Sequence, residues 1–281
     1  MTDPPSPTPI DAASIRAHWR DKAAHWTGWA ETTAAMADRF NRPLLDAVGL
    51  RPGERLLDLA SGAGEPALTA AAIAGPAGRV VATDLIPEML AGIKQRDPER
   101  RLTLVAADMQ RLPFADAAFE RISCRFGLMF VPDPLAALTE ARRALRPGGR
   151  AGFLTWGPRA DQTLFTALGD AVDEVIGVPA DDHHWQVFRL DDPQALTALL
   201  RDAGFREVET RALKLDGRAP ADRPFWRPQL AMSFGHLLED GDAATHAAID
   251  AAMRRALAPH RAEDGTRYRL QAHALLATGA A

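Results

Sequence analysis

The sequence predicts a three-layer, doubly wound α/β fold, a mostly parallel sheet with helices on both faces, and three observations carry that expectation. Between residues 55 and 156 short apolar runs alternate with longer runs of helical periodicity. Gly, Pro and Asp stand at the junctions, where strands end and helices begin. The alternation repeats often enough to require crossovers, and crossovers between parallel strands cover both faces of a sheet.

The proline-rich residues 1–10 read as a loose tail. Ile15, Trp19, Trp26 and Trp29 recur at spacings of three, four or seven, which predicts a helix over residues 15–36 with one apolar stripe, expected to pack as core. Pro43 and Arg51-Pro52-Gly53 are expected to separate this helix from the first strand. Residues 55–60 read as that strand and 65–74 as the helix after it, with Pro66 tolerated in its first turn. Gly75-Pro76-Ala77-Gly78 leads into a second strand, 79–84. Pro87 opens the next helix and Asp97-Pro98 closes it. Residues 102–108 and 119–125 are the third and fourth strands. Asp133 as N-cap and Pro134 at the first helical position start a helix that ends at Pro147-Gly148-Gly149. Residues 150–156 form the fifth strand. Beyond Trp156, helical runs (163–176 and 193–203) flank a polar stretch at 181–190. Residues 205–215 and 267–278 then alternate as strands around a helix-rich insertion, 220–259. The chain divides into a tail (1–10), an N-terminal helical cap (11–46), a core (47–157), a lid insertion (158–199) and a C-terminal part of the core (200–281) with a helical insertion at 216–266.

Composition excludes several classes. With 281 residues, 47% hydrophobic and 25% charged, the chain is neither disordered nor fibrous. A net charge of -4 gives no field that would recruit nucleic acid or an anionic membrane. The basic residues are scattered arginines except for Lys22, Lys94 and Lys214. The single cysteine, Cys124, excludes an intramolecular disulfide framework and a multi-cysteine zinc site, and is expected to pack in the fourth strand. No signal sequence and no bilayer-spanning stretch is read, so the expected location is the cytoplasm.

The chemistry concentrates at Asp58-Leu-Ala-Ser-Gly62-Ala-Gly64, where the first strand runs into a helix. Glycines there let backbone approach a ligand at a helix N-terminus. Alone, Gly62-x-Gly64-x-x-Ala67 also fits a dinucleotide fingerprint, which leaves an NAD(P)-dependent oxidoreductase as an alternative. Asp58 would repel a pyrophosphate and attract an ammonium group. Asp84, ending the second strand 20 residues after Gly64, is placed to take two ribose hydroxyls. Asp108 adds an acceptor for an exocyclic adenine amine. The ligand implied carries adenine, ribose and a cationic end without phosphates, a description that S-adenosylmethionine meets.

With these motifs in view, residues 51–156 resemble a class I S-adenosylmethionine-dependent methyltransferase, of the broad group containing the ubiquinone/menaquinone C-methyltransferases. The likeness rests on LLDLASGAGEPAL, VVATDLIPEML, AADMQRLPFADAAFERISCRFGLMF and ARRALRPGGR, in order and spacing. It implies seven strands in the order 3-2-1-4-5-7-6, the last antiparallel. It implies that Asp58, Ala60, Ser61, Gly62 and Gly64 line the methionine end, with Asp84 on the ribose and Leu85 and Met89 beside the adenosine. Asp108 and Met109 would flank adenine, with Arg125 bordering cofactor and substrate and Trp29 reaching in from the cap. The product would be S-adenosylhomocysteine. Ala60 stands where many relatives have a glycine. The Asn-rich and His-Arg-Trp signature of the quinone-ring enzymes is absent around Phe40-Asn41-Arg42-Pro43, so a quinone acceptor is not implied by the likeness.

Methyl transfer from a sulfonium needs alignment more than acid–base chemistry, and no catalytic dyad is evident. His183 and His184 in the lid and His25 in the cap are the candidate bases. No third and fourth ligand stands near the histidine pair, so no metal site is expected. After the fourth strand the sequence reads Cys124-Arg125-Phe126-Gly127, without the Asn/Asp-Pro-Pro-aromatic motif of nucleic-acid and protein amide methyltransferases. The acceptor is therefore expected to be a small molecule, aromatic or isoprenoid-like, bound by Phe126, Met129, Trp156 and Trp185 under an apolar cap. Neither nucleic acid nor stable membrane insertion is expected, and the chain would act as monomer or homodimer. A protein that binds the cofactor for decarboxylation or a pericyclic reaction is the other reading.

Overall fold

Seven strands line up as β3-β2-β1-β4-β5-β7-β6 in the computed structural model, which describes residues 12–177, 186–238 and 241–281. They are β1 (Arg55–Leu59), β2 (Arg79–Asp84), β3 (Leu102–Ala106), β4 (Phe119–Arg125), β5 (Leu145–Trp156), β6 (Arg206–Pro220) and β7 (Arg267–Ala280). The first five are mutually parallel, while β7 runs antiparallel to both β5 and β6. Successive residues on a strand face opposite sides, and β1 shows it. Leu56 packs with helices α2 (Ala67–Ala74) and α3 (Pro87–Arg96), whereas Leu57 and Leu59 join the cluster under α4 (Pro134–Ala144) and α6 (Pro193–Asp202).

Helix α1 (Ala12–Val48) is longer than the sequence predicts and passes through Pro43. Phe40, Leu44, Leu45 and Val48 are all buried, the first two against Leu154 and Leu276 of β5 and β7. Packing of that turn outweighs the backbone hydrogen bond that Pro43 removes. The N-terminal half leaves the sheet and becomes the cap.

Other boundaries shift as well. Helix α2 begins at Ala67 with Pro66 as its N-cap, and β3 ends two residues before Asp108. Helix α4 has Asp133 as N-cap, its side chain accepting from the Ala136 N–H. It ends at Ala144, and β5 starts at once because buried Leu145 pairs with Phe119 before the register shifts to Arg121–Arg150. Strands β6 and β7 continue pairing to Pro220–Arg267. The apolar alternation fades at Asp216-Gly217-Arg218, but backbone pairing does not need it.

That extended ribbon carries Tyr268 and Leu270 into a second core with α5 (Thr163–Ile176), α7 (Arg227–Leu238) and α8 (Ala243–Leu257). Its centre is Trp226, fully buried, with its indole N–H donating to Asp250 at 2.8 Å and the Arg254 guanidinium over its ring. Among the described residues no helix is long and apolar enough to cross a membrane.

Candidate active site

Between the cap half of α1 and the C-terminal ends of β1, β2, β4 and β5 lies a cleft of about 370 Å³, where an open α/β sheet places its ligands. The loop after β1 makes one wall. Gly62 and Gly64 have positive φ there, as a tight turn requires, and Ala60 shares that conformation at φ 52°. The Gly62 N–H donates to Asp84 Oδ2 at 2.8 Å and the Ile86 N–H to Oδ1 at 2.9 Å, so the carboxylate that ends β2 also fixes the loop. Burial pushes the Asp84 carboxyl up, opposed by these backbone donors.

Asp58 lies behind the wall rather than on it. It is fully buried, with Oδ1 accepting from the Ser123 hydroxyl at 2.7 Å and Oδ2 without a hydrogen-bond partner. Burial pushes its carboxyl up to about 7, opposed by the Ser61 and Ser123 hydroxyls and by Arg125. An unpartnered buried carboxylate oxygen under a glycine turn is an acceptor suited to an ammonium group. The residues present thus fit an amino-acid end at this wall.

Ala60, Ser61, Gly62, Asp84, Leu85, Met89, Asp108, Met109 and Arg125 all border the cleft, as do Phe126, Met129 and Trp156. Asp108 accepts from the Gln110 N–H at 2.9 Å, which aims its carboxylate. Phe126 has a positive φ of 58°, and the adjacent Gly127 lies where a Cβ would collide with that of Ala60. Strain of this kind is concentrated where a side chain must be aimed, and Phe126 is stacked on Trp156, with ring centroids 3.9 Å apart and planes at 8°. Phe40 meets both rings edge-on, and Phe165 leans on Trp156 at 5.0 Å.

Several expectations are corrected. Trp29 is half-buried and does not border the cleft. The seam that does runs Trp19, Trp26, Ala30, Thr33, Ala37, Phe40, and Trp29 stands one residue off it. The tryptophan stripe is therefore cleft wall as well as packing, with Trp19 edge-on to Trp26 and Phe130. The Trp26 indole N–H is buried without an acceptor. His25 also faces away, its ring packed against Gly235 of α7. Gly64 supports the turn without bordering the cleft. His183, His184 and Trp185 lie outside the described residues.

One charged cluster has no counterpart among the sequence expectations. Glu65 accepts from Arg96 at 2.7 Å and from Asn41 of α1 at 2.6 Å, and Arg96 also donates to the Ala63 carbonyl. Each belongs to a different element, so only tertiary structure brings them together.

Residues 57–153 match the family described as a methyltransferase domain. The demethylmenaquinone methyltransferase of Beutenbergia cavernae is 40% identical over 186 residues, covering 62% of this chain and 75% of its own. That of Mycobacterium sp. (strain KMS) is 41% identical over 187 residues, covering 63% and 78%. Among solved structures, the YcgJ protein of Bacillus subtilis covers 85% of this chain and 97% of its own at TM-score 0.55 and 17% identity. The [4+2]-cyclase SpnF covers 86% and 81% at TM-score 0.51 and 20% identity. At these identities the structures share the fold alone. Strand order, motifs and relatives agree: the chain belongs to the class I methyltransferases of the ubiquinone/menaquinone type, an enzyme that uses S-adenosylmethionine as its methyl donor.

Proposed function

We propose that the enzyme methylates a small aromatic acceptor held against Phe126 and Trp156. The observation that carries this is the strained Phe126 stacked on Trp156 within a box closed by Phe40 and Phe165. Offset stacking on such a platform favours a flat ring. On the opposite wall Asp84 would take the ribose hydroxyls and Asp108 the adenine amine. Asp58 and the loop from Ala60 to Gly64 would take the amino-acid end. When bound, S-adenosylmethionine supplies a methyl group on a sulfonium for in-line displacement. The chain's own work is to fix the acceptor's approach and exclude water, and orientation of this kind is worth roughly 7–11 kcal/mol of a barrier. The names of the relatives put demethylmenaquinone among the first compounds to try, beside simple phenols and quinols.

Transfer of labelled methyl to such a panel tests the reading. Trp156→Ala should raise the KM of every productive acceptor by about 10- to 100-fold, from the ~1.5–3 kcal/mol of lost aromatic burial. Affinity for S-adenosylhomocysteine should stay level. An unchanged KM would remove the platform from the site.

Asp58 gives the cofactor side its own test. Its folded value, about 7, stands above its ordinary 3.8. The stability this shift contributes is present below 3.8 and is lost as pH rises through about 7. A ligand ammonium favours the ionised carboxylate. Binding of S-adenosylhomocysteine should therefore tighten between about pH 6 and pH 8 and release a proton, read by calorimetry in buffers of different ionisation enthalpy. Asp58→Asn should flatten that dependence, and an equally steep profile in the variant would remove Asp58 from the site.

A further inference from the structure

The charges bordering the cleft are divided between its sides. On one side stand the carboxylates of Asp84 at the end of β2, Asp108 after β3 and Glu65 after β1, with the Arg96 guanidinium of α3 paired to Glu65. The side made by α1, α5, α7 and the ends of β4 to β7 brings Arg16, Lys22, Arg39 and Arg125 and, among the described residues, no carboxylate. An acceptor site of this make-up favours a neutral or anionic molecule over a cationic one.

Arg125 is the cation next to the platform, its guanidinium 5.6 Å from the Phe126 ring centroid. Among the described residues its hydrogen bond is a long one, 3.4 Å to the Glu65 carbonyl. The Glu65 carboxylate is already taken by Arg96 and Asn41, so Arg125 reaches the backbone carbonyl of that residue and not its carboxylate. The other charged groups facing Arg125 are Asp58 from β1 and Arg96 from α3, while burial pushes the neighbouring Cys124 thiol up to about 12 and keeps it neutral. A guanidinium stays protonated and presents five donors, and leaving them unmatched in a desolvated site is costly. Among the described residues no imidazole borders the cleft beside the platform: His273 packs on Gly157, next to Trp156, but its ring is paired with Asp161 and stays off the cleft wall. His25 faces α7, and the one bordering histidine, His18, sits against Trp19 near the start of α1.

We infer that the cleft takes its aromatic acceptor as an oxyanion, a phenolate or the ionised form of a ring-hydroxyl compound, with the charged oxygen on Arg125 and the ring on the Phe126–Trp156 stack. The inference rests on the proposed aromatic acceptor. The hydroxyl proton leaves to solvent as the anion enters, so no group in the cleft has to remove it at transfer. Arg125 thereby selects acceptors by acidity: ring hydroxyls that ionise near neutral pH bind, and aliphatic alcohols and amines do not. The cofactor's own carboxylate is the competing anion for the same guanidinium.

4-Nitrophenol separates these cases, because its absorbance reports its ionisation without any turnover. In protein saturated with S-adenosylhomocysteine, bound 4-nitrophenol should titrate at least about one pH unit below its value in free solution, the shift a nearby cation imposes. Arg125→Gln should abolish that shift and weaken binding of the phenolate about tenfold or more, with Arg125→Lys restoring part of both. Affinity for S-adenosylhomocysteine should change less than about twofold in Arg125→Gln, because the proposed placement puts its carboxylate against the Ala60–Gly64 loop. Ionisation unchanged on binding, or no binding at millimolar concentration, overturns the inference. A parallel loss of S-adenosylhomocysteine in Arg125→Gln overturns it too and gives Arg125 to the cofactor carboxylate. Wild-type protein that fails to bind S-adenosylhomocysteine would instead sink the reading on which the inference rests.

Discussion

Asp84→Ala should weaken S-adenosylhomocysteine binding by about 1.5–3 kcal/mol, or 10- to 150-fold, the worth of hydrogen bonds to a charged acceptor. The figure is a lower bound, because the same carboxylate holds the Gly62 and Ile86 N–H groups. Removing it frees the glycine turn as well as the ribose, and buried donors left unpaired add their own cost. Asp84→Asn keeps one acceptor oxygen and should lose less than Ala. Calorimetric titration of the three proteins measures the ordering. An Ala variant that binds like wild type would take Asp84 out of the cofactor site.

Trp226→Ala should lower the stability of the protein by about 3–5 kcal/mol, the usual cost of truncating a fully buried tryptophan. Trp226 is the hub of the core that joins α5, α7 and α8 to the β6–β7 ribbon. Its loss also leaves Asp250 with Arg227 alone, an exposed partner at 2.6 Å. Trp226→Phe keeps most of the ring volume, so it isolates the hydrogen bond and should cost about 1–2 kcal/mol. Urea denaturation read at several wavelengths gives both values. Because α7 lends Gln229, Met232 and Ser233 to the cleft, acceptor binding should weaken in the Ala variant. A change under about 1 kcal/mol would show that this second core can collapse around the gap.

The doubly wound half was legible because its signals are local. β2 and β4 begin and end where the sequence places them, and so does α5. The Asp133-Pro134 start of α4 is a cap that two adjacent residues specify by themselves. That Asp84 and Asp108 border the cleft was legible for a related reason, since such a sheet opens its cleft at and just beyond the ends of its parallel strands. What the sequence hid depends on distant partners. Pro43 looks like a break until Leu44 and Leu45 are seen buried under the sheet. Trp29 is indistinguishable from Trp26 by spacing, because which side of the stripe meets the cleft is set by where α1 crosses β4 and β5. The Asn41–Glu65–Arg96 cluster has no sequence signature, since its members come from α1, the loop after β1 and α3. His25 stands off the cleft for the same reason: its ring packs on Gly235 of α7.

The continuity of α1 has a mechanical consequence. Core and cap are one rod of 37 residues, about 55 Å long at 1.5 Å per residue. Its final turns are clamped beneath the sheet, and its first turns carry Trp19 and Trp26 over the cleft. A cap of this kind has no hinge loop and can move against the core only by bending the helix. Its soft joint next to the core is Pro43, where a backbone hydrogen bond is already missing. Trp19 lies 24 positions up the lever, about 36 Å away, so a flexure of about 10° there carries its ring some 6 Å. Opening wide enough to admit a flat ring thus needs only a slight bend in the helix itself. It also has to part the cap from α3 and α7, where Thr27 packs on Gly92, His25 on Gly235 and Lys22 donates to the Ser233 carbonyl.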